Sequence, residues 1–289
     1  MSLFWTLVPG GIRGQCLADV SDRSTKAGAA IYGPLILNYL YDFLVLGIYC
    51  SLIWRCPAIV IEQLHQMLVR GAAQRKPTPA PDHAEPDTVR ILDIGVGTGY
   101  FMSKMDLPSN TALTLFDLNP NCLTTASTRC QEAHSGVAKI AVNTVRGDFL
   151  APNTDPLSIY SLLDPNKKSN SRYDVVFTSL LLHCLPGPPH RKAKALASLA
   201  SLTEDTGVLC GATILGMNSK EVQHSWIGHL LLFLHNAMGW FDNNLDDREV
   251  FVQALEETFE NVSWQVIGTV LLFEARFPKR LKDSDDLHA

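Results

Sequence analysis

The chain has 289 residues, which is long enough to bury a sizeable core, and its hydrophobic content of 46% is ordinary for a globular protein. Its formal net charge is -5 and it has no basic stripe, which argues against nucleic acid as a partner. The seven cysteines include no C-x-x-C pair and their number is odd, so we predict reduced thiols, no disulfide framework and no metal site, as is typical of a cytoplasmic protein.

Residues 1–75 are predicted to form a mainly helical cap. They begin without the basic leading segment and small-residue cleavage site of a signal peptide. The apolar stretch 31–54 approaches the length of about 20 residues that spans a bilayer. It contains Asp42, and a charge in mid-span is costly in lipid, so we favour a soluble helical segment packed against a sheet. Peripheral membrane contact is the less favoured alternative.

Residues 76–88 are rich in proline and predict a linker, after which the pattern changes. In residues 89–277 short apolar runs alternate with helical stretches, as parallel strands buried on both faces by helices do. The last two runs are separated only by a turn near Gly268, which predicts an antiparallel hairpin. We therefore expect an α/β fold with a doubly wound, seven-stranded sheet, followed by a charged tail at 278–289. The runs are VRILDIG, TALTLFDLN, KIAVNTVRGD, RYDVVFTSLL, GVLCGATIL and VSWQVIGTVLLFEARF, of which the last supplies two strands.

A helical insertion on the substrate side is predicted at 217–244. Its histidines, His224, His229 and His235, are five and six residues apart, so they do not share one helical face and no metal site is expected there. Its aromatic residues either belong to the core or line an acceptor pocket, and both interpretations stay open for Trp226, Phe233 and Trp240.

The sequence RILDIGVGTGYFMSK contains a glycine-rich turn directly after the first predicted strand. The turn has the spacing G-x-G-x-G at Gly95, Gly97 and Gly99, which is neither the dinucleotide pattern G-x-G-x-x-G nor the P-loop pattern. Asp93 lies two residues before the first glycine, where its carboxylate repels a pyrophosphate and attracts an ammonium group. The turn therefore favours a cationic nucleoside over a phosphorylated one.

Two further acids follow the next two predicted strands. Asp117 comes about twenty residues after the glycine turn, where an acid accepts hydrogen bonds from both ribose hydroxyls. Asp148 ends the third run and is placed to accept from an adenine amino group, with Phe149 or Leu118 against the ring face. Acids at three successive strand ends, beside a glycine turn, predict a site for S-adenosylmethionine (SAM).

These motifs resemble those of the class I SAM-dependent methyltransferases, over roughly residues 88–277. LDIGVGTG is similar to the first motif of that family, LFDLNP to its second and RGDF to its third. A narrower resemblance, to small-molecule methyltransferases of bacteria and fungi that often accompany secondary-metabolite pathways, rests on five short segments. These are YDFLVL, WRCP, LLHCLPG, GATILG and VIGTV.

The resemblance implies a Rossmann-like, seven-stranded methyltransferase sheet with an N-terminal helical cap, SAM as the cofactor, and transfer of a methyl group to a small molecule that it does not identify. The apolar, aromatic cap favours a lipophilic acceptor. The resemblance also implies that Leu118 and Asn119 line the ribose and adenine, and that Tyr32 folds over the cofactor as part of a lid.

His183 is the candidate general base. It follows the fourth run, at the edge towards which the sulfonium methyl group is expected to point. A histidine with an ordinary pKa of about 6.5 suits proton removal from an acceptor. The alternative is a structural histidine bonded to the backbone near Pro186. The acceptor, its methylated atom and the oligomeric state stay open at this stage.

Two other functions are compatible with the same sequence. One is a SAM-binding enzyme of this fold that catalyses a cyclisation or rearrangement without methyl transfer, because fold does not fix chemistry. The other is a non-catalytic, membrane-associated scaffold, which the complete glycine and acid motifs argue against.

Overall fold

The structure, a computed structural model, describes residues 42–76, 88–163 and 172–280. Tyr32, most of the proline-rich linker and most of the charged tail lie outside the described residues. The predicted boundaries at 75, 88 and 277 therefore stay predictions, as does the position of Tyr32 over the cofactor.

One seven-stranded sheet forms the centre of the described fold, in the order β3-β2-β1-β4-β5-β7-β6. All neighbouring strands are parallel except that β7 is antiparallel to both β5 and β6. This confirms the predicted doubly wound sheet and its terminal hairpin. The strands are β1 (Val89–Ile94), β2 (Thr111–Asp117), β3 (Ile140–Arg146), β4 (Tyr173–Ser179), β5 (Thr203–Ile214), β6 (Phe259–Ile267) and β7 (Val270–Pro278).

Helices cover both faces of the sheet. One core cluster joins β1, β4 and β5 to α6 and α8, and another joins the opposite face to α2, α3 and α4. Strand β4 is buried along its whole length, whereas β3 at one edge of the sheet is mostly exposed. The helices are α1 (Asp42–Ile53), α2 (Ala58–Arg75), α3 (Tyr100–Lys104), α4 (Pro120–Ala133), α5 (Ile159–Leu163), α6 (Pro189–Ser198), α7 (Trp226–Ala237) and α8 (Arg248–Thr258).

The described part of the N-terminal region is helical, as predicted. Helix α1 has the wide hydrogen bonding of a π-helix, and α2 begins directly after Pro57. Taken singly, none of the helices in the described ranges is long and apolar enough to cross a membrane. The pair Val45–Ile53 and Ala58–Arg75 meets the length and composition criteria only together, and its two members are bent by 107°.

Long-range contacts attach these helices to the sheet. The backbone N–H of Thr269, in the β6–β7 turn, donates to the carbonyl of Trp54 at 2.8 Å. Gly268 in that turn has a φ of 60°, and a Cβ atom there would lie 2.2 Å from the same carbonyl oxygen. Glycine is therefore required at this position both by its left-handed conformation and by the closeness of the chain after α1.

Candidate active site

The candidate site lies at the carboxyl ends of the parallel strands. Strand β1 has β2 on one side and β4 on the other, so the direction of the strand order reverses there. Ligands of open α/β sheets bind at such a reversal, in the crevice outside the carboxyl ends of the strands. The turn after β1 carries the glycines, and the ends of β1 and β2 and the turns after β2, β3 and β4 carry the other predicted site residues that the structure describes.

The three glycines of the turn differ in what a side chain at each position would contact. All have left-handed backbones, with φ values of 75°, 53° and 71° for Gly95, Gly97 and Gly99. A Cβ atom on Gly95 would lie 2.6 Å from a methyl carbon of Leu181, and one on Gly99 would lie 2.7 Å from the Cα of Ala126. A Cβ atom on Gly97 would meet no described atom within 4 Å. Gly95 and Gly99 are therefore required by packing, whereas Gly97 borders open space that a ligand can enter.

Asp93 and Asp117 are two carboxyl groups beside this turn, of which Asp93 is buried and Asp117 is half-buried. Burial raises the pKa of Asp93 to about 7, and the charge of Asp117 adds to the rise. Burial also raises the pKa of Asp117 to about 6. Hydrogen bonds from backbone N–H groups of Asn119 and the glycine turn lower this pKa, but by less than burial raises it. Both groups therefore gain from a ligand that brings positive charge or hydrogen-bond donors to them.

The turn after β2 is fixed by its own side chains. A side-chain oxygen of Asp117 accepts from the backbone N–H of Asn119 at 2.8 Å. Asn119 is in turn the N-cap of α4, where its Oδ1 accepts from the N–H of Asn121 at 2.9 Å. Leu118 lies between them, half-buried, and its carbonyl accepts from Arg146 Nε at 3.3 Å. This arrangement holds the Asp117 carboxylate at the strand end, where the sequence predicted it.

Asp148 and Phe149 follow β3. One side-chain oxygen of Asp148 accepts from the N–H of Leu150 at 2.9 Å, and the residue stays half-buried. Phe149 is buried in the core cluster that also contains Phe116. Of the two residues predicted to lie against the adenine ring, Leu118 is therefore the more accessible one.

The described residues fit SAM. The open side of Gly97 leaves room for a ligand at the backbone, and Asp117 has a carboxylate to which ribose hydroxyls could donate. The raised pKa of Asp93 marks a carboxyl group that a nearby ammonium group would stabilise in its charged form. These are the roles that the sequence predicted for the three residues.

His183 lies on a short 3-10 turn, Leu182–Cys184, after β4. Its ring is buried and packs at 4.5 Å, centroid to centroid, on the ring of Phe241. The N–H of Ile214 at the end of β5 points to His183 Nδ1 at 3.5 Å. Burial, with smaller contributions from Lys192 and His235, lowers the pKa of His183 to about 3, so the imidazole is neutral at neutral pH. Its role as a base stays a prediction.

A group of aromatic rings, which contacts His183 through Phe241, lies at the same edge of the sheet. His235 of α7 packs against Phe241 at 4.7 Å and Trp240 at 5.4 Å, centroid to centroid, and against Tyr49 of α1 at 6.1 Å. We call His183, His235, Trp240, Phe241 and Tyr49 the aromatic group. The sequence had singled out Trp240 and both histidines, but Tyr49 carried no signal because its contacts come from far along the chain.

The outer face of α7 does not belong to the core. Trp226 is 77% exposed and Phe233 is 60% exposed, so of the three aromatic residues predicted to be core or pocket only Trp240 packs in the aromatic group. His224 precedes the helix, which lets its ring approach that of His229 to 5.6 Å although their spacing indicated otherwise. Within the described ranges, no three His, Cys, Asp or Glu side chains are placed to hold a metal ion.

The loop after His183 is held by a buried ion pair. Lys192 Nζ lies 2.8 Å from a carboxylate oxygen of Asp246, and both side chains are fully buried. The same Nζ donates to the carbonyl of Asp242, whose side chain accepts from the N–H of Gly187 at 2.8 Å. This network joins α6 to the end of the predicted insertion and fixes the backbone on both sides of the aromatic group.

Asp42 is a site-supporting residue whose role the sequence did not show. Its carboxylate accepts from Thr98 Oγ1, in the glycine turn, at 2.7 Å and from Arg129 of α4 at 2.5 Å. The acid that argued against a membrane span thus has an internal partner. A lone acid in an apolar run was the available signal, but nothing in the sequence indicated that its partner would be the glycine turn.

Comparison with known proteins agrees with this geometry. The family described as "Methyltransferase domain" matches residues 61–265. The chain belongs to this methyltransferase family. It is 33% identical over 255 residues to the "Physcion biosynthesis cluster O-methyltransferase" of Aspergillus chevalieri, covering 88% of this chain and 97% of the relative. It is also 32% identical over 275 residues to "O-methyltransferase NEC2" of Pyricularia oryzae, covering 88% of this chain and 94% of that relative.

A third relative, "Methyltransferase verB" of Penicillium polonicum, is 32% identical over 261 residues, covering 86% of this chain and 98% of the relative. The protein is thus a SAM-dependent methyltransferase, and the predicted fold, cofactor and enzyme class are confirmed. The non-methylating enzyme and the membrane-associated scaffold find no support in these relatives.

Proposed function

We propose that this methyltransferase transfers the methyl group of SAM to an oxygen of a small, lipophilic, planar acceptor in secondary metabolism. The observation that carries the proposal is the aromatic group at the carboxyl ends of β4 and β5, because stacked and edge-on rings suit an apolar, planar molecule. The names of the fungal relatives support oxygen as the methylated atom and secondary metabolism as the context. The negative net charge and the scattered cysteines support a cytoplasmic enzyme that does not act on nucleic acid.

The chain's own residues contribute mainly by binding and orientation. SAM supplies an activated methyl group and leaves as a neutral thioether, so no acid is needed for the departing group. Asp93, Asp117 and the open side of Gly97 would hold the cofactor, with Asp148 and Leu118 at its adenine end. The aromatic group would hold the acceptor against it and exclude water, which converts binding into rate by positioning the reacting atoms.

His183 is the proposed base, and its lowered pKa suits an acidic acceptor. An imidazole whose pKa is lowered to about 3 is neutral at neutral pH but holds a proton weakly. Such a group assists a phenolic or similarly acidic hydroxyl better than an aliphatic alcohol. The proposed acceptor is therefore a phenol. Because the N–H of Ile214 points to Nδ1, the neutral ring carries its hydrogen on Nε2, and His183 would receive the phenol proton at Nδ1, in place of that long 3.5 Å contact.

The function is tested by incubating the purified protein with SAM and matched panels of phenols, carboxylic acids, amines, tRNA and protein. We expect methylated phenol and S-adenosylhomocysteine in equal amounts. Methylation confined to the macromolecules would overturn the small-molecule acceptor. Conversion of a substrate without S-adenosylhomocysteine would contradict methyl transfer itself.

The base is tested with His183→Ala. With a phenol acceptor we expect kcat to fall on the order of a hundredfold, because positioned bases contribute at least this much. SAM binding, measured by calorimetry, should stay the same. With a carboxylate acceptor, which needs no base, the same variant should lose little rate. Equal losses with both acceptors would assign His183 to structure.

A further inference from the structure

A second polar pair, outside the residues described so far, lies at the reversal point of the sheet. Ser179 is the last residue of β4 and lies two residues beyond Phe177, which pairs with Asp93 of β1. Both strands are parallel, so Ser179 is level with Gly95, the first glycine of the turn. The following residue, Leu180, has a left-handed φ of 58° and donates its N–H to the carbonyl of Ala212 at 2.7 Å. This unusual backbone ends the strand and fixes the position of Ser179.

Ser179 has a buried partner on α2. Its Oγ lies 2.8 Å from Nε2 of His65, which is fully buried. The His65 ring is held by the ring of Phe177, at 4.1 Å between centroids, and by that of Phe101, at 5.3 Å. His65 therefore cannot turn to another partner without disturbing the core between α2 and the sheet.

The surroundings of His65 indicate its tautomer. Its Nδ1 is enclosed and has no hydrogen-bond partner among the described residues. Buried N–H groups without a partner are rarer in proteins than buried acceptors without one. The hydrogen therefore belongs on Nε2, and Nε2 donates it to Ser179 Oγ. Burial lowers the pKa of His65, which agrees with a neutral ring.

In this arrangement the hydrogen of the Ser179 hydroxyl is directed away from His65. His65 is the described partner of the Ser179 side chain, and it already donates to Ser179 Oγ. The Ser179 hydroxyl is thus a hydrogen-bond donor at the edge of the crevice, and His65 fixes its orientation. The crevice is where the cofactor is predicted to bind, with Asp117 on one side of β1 and Ser179 on the other.

We propose that Ser179, oriented by His65, donates a hydrogen bond to the carboxylate of the cofactor's amino-acid moiety. The proposal rests on SAM being bound with its ribose at Asp117. From there the amino-acid end extends across β1 towards β4, with its ammonium group near Asp93. The carboxylate then needs a donor, and the Ser179 hydroxyl is one. Ser179 is accordingly a binding residue and His65 is its positioning residue.

The test compares two ligands on one variant, Ser179→Ala, by titration calorimetry. S-adenosylhomocysteine has the amino-acid moiety and 5′-methylthioadenosine lacks it. We expect affinity for the first to fall on the order of tenfold to a hundredfold, as for a lost hydrogen bond to a charged group, and affinity for the second to stay the same. Thr178→Val, which changes the neighbouring strand residue whose hydroxyl is buried without a described partner, is the matched control and should alter neither affinity.

Three results would overturn the proposal: equal losses for both ligands, which indicate a structural role; no loss for either; or an equal loss for the decarboxylated analogue of S-adenosylhomocysteine, which keeps the ammonium group. Failure of the wild-type protein to bind either ligand would instead contradict the cofactor assignment, so the two failures are distinguishable.

His65 is tested separately by nitrogen-15 NMR of the imidazole rings and by two substitutions. We expect one ring with an unprotonated Nδ1 that does not titrate between pH 8 and 5, and its signal should be absent from His65→Gln. His65→Gln retains an N–H donor and should keep most of the affinity for S-adenosylhomocysteine, whereas His65→Phe should weaken it severalfold. A protonated Nδ1, or equal affinity of the two variants, would contradict the positioning role.

Discussion

At the residue scale, two glycines of the same turn have different predicted roles: Gly99 is required for packing, whereas Gly97 is predicted to leave room for the cofactor. Gly97 and Gly99 both have left-handed backbones, but only Gly99 is close to other atoms, at the backbone of α4. An alanine at either position destabilises the folded state because the backbone there is left-handed, and an alanine at position 99 also clashes with Ala126. The two substitutions should therefore have different consequences.

For Gly97→Ala we expect a loss of unfolding free energy of about 1–2 kcal/mol, together with at least a tenfold loss of SAM affinity on the order of 1.4 kcal/mol. The added methyl group enters the open space beside the turn. For Gly99→Ala we expect a larger loss of stability, about 2–5 kcal/mol. Thermal unfolding and titration calorimetry measure the two effects. Full SAM affinity in a folded Gly97→Ala variant would contradict the assigned position of the cofactor.

The raised pKa values of Asp93 and Asp117 predict a pH dependence of cofactor binding. Their folded-state pKa values, about 7 and about 6, lie above those of ordinary carboxyl groups, so in the free protein both take up protons as the pH falls from 8 to 5. The ammonium and hydroxyl groups of SAM favour the charged carboxylates. Because the α-amino group of SAM itself loses its proton above about pH 8, affinity should be highest between about pH 7 and 8 and should decrease as the pH falls through 7 and then 6.

Calorimetry at pH 8, 7, 6 and 5 measures this dependence. In Asp93→Asn the decrease near pH 7 should be absent, while the decrease near pH 6 remains. An affinity that is constant over this range, or one that rises as the pH falls, would contradict the roles given to the two carboxylates.

At the element scale, Asp42 links helix α1 to the glycine turn and to α4. Its ion pair with Arg129 is partly buried, because the two side chains are 16% and 32% exposed. It also accepts from Thr98, which is buried within the turn. The same carboxylate thus connects the cap to the glycine turn, which is predicted to bind the cofactor.

We expect Asp42→Asn to reduce the unfolding free energy by about 1–2 kcal/mol and to weaken SAM binding severalfold, because the amide keeps one hydrogen bond but loses the charge. The matched control is Asp106→Asn, which breaks an exposed ion pair with Arg70 and should cost less than about 0.5 kcal/mol. Thermal unfolding and calorimetry of both variants measure these changes. If both variants lose the same stability, Asp42 has no special role in the turn.

At the scale of the whole molecule, what could be predicted from sequence follows from the range of the interactions. The strands and the glycine turn were predicted because each is determined by consecutive residues: an apolar run, a turn residue and an acid at a strand end. The fold class could be inferred from that order, and the same order predicts the cofactor-binding positions.

The supports of the site could not be predicted, because their partners are distant in the sequence. Asp42 and Arg129 are 87 residues apart, His65 and Ser179 are 114 residues apart, and Lys192 and Asp246 are 54 residues apart. No local pattern distinguishes a buried lysine that has a partner from an exposed one. Only the folded sheet and its helices bring these groups together.

The central claim is that the carboxyl ends of β1 and β2 bind SAM through Asp117. The most direct measurement is titration calorimetry of SAM with the wild-type protein and with Asp117→Ala, using Asp106→Ala as a surface control. We expect binding to the wild type and to the control, and a loss of about a hundredfold or more in Asp117→Ala, because hydrogen bonds from both ribose hydroxyls to a carboxylate are lost. No binding to the wild type, or equal affinity in all three proteins, would contradict this claim.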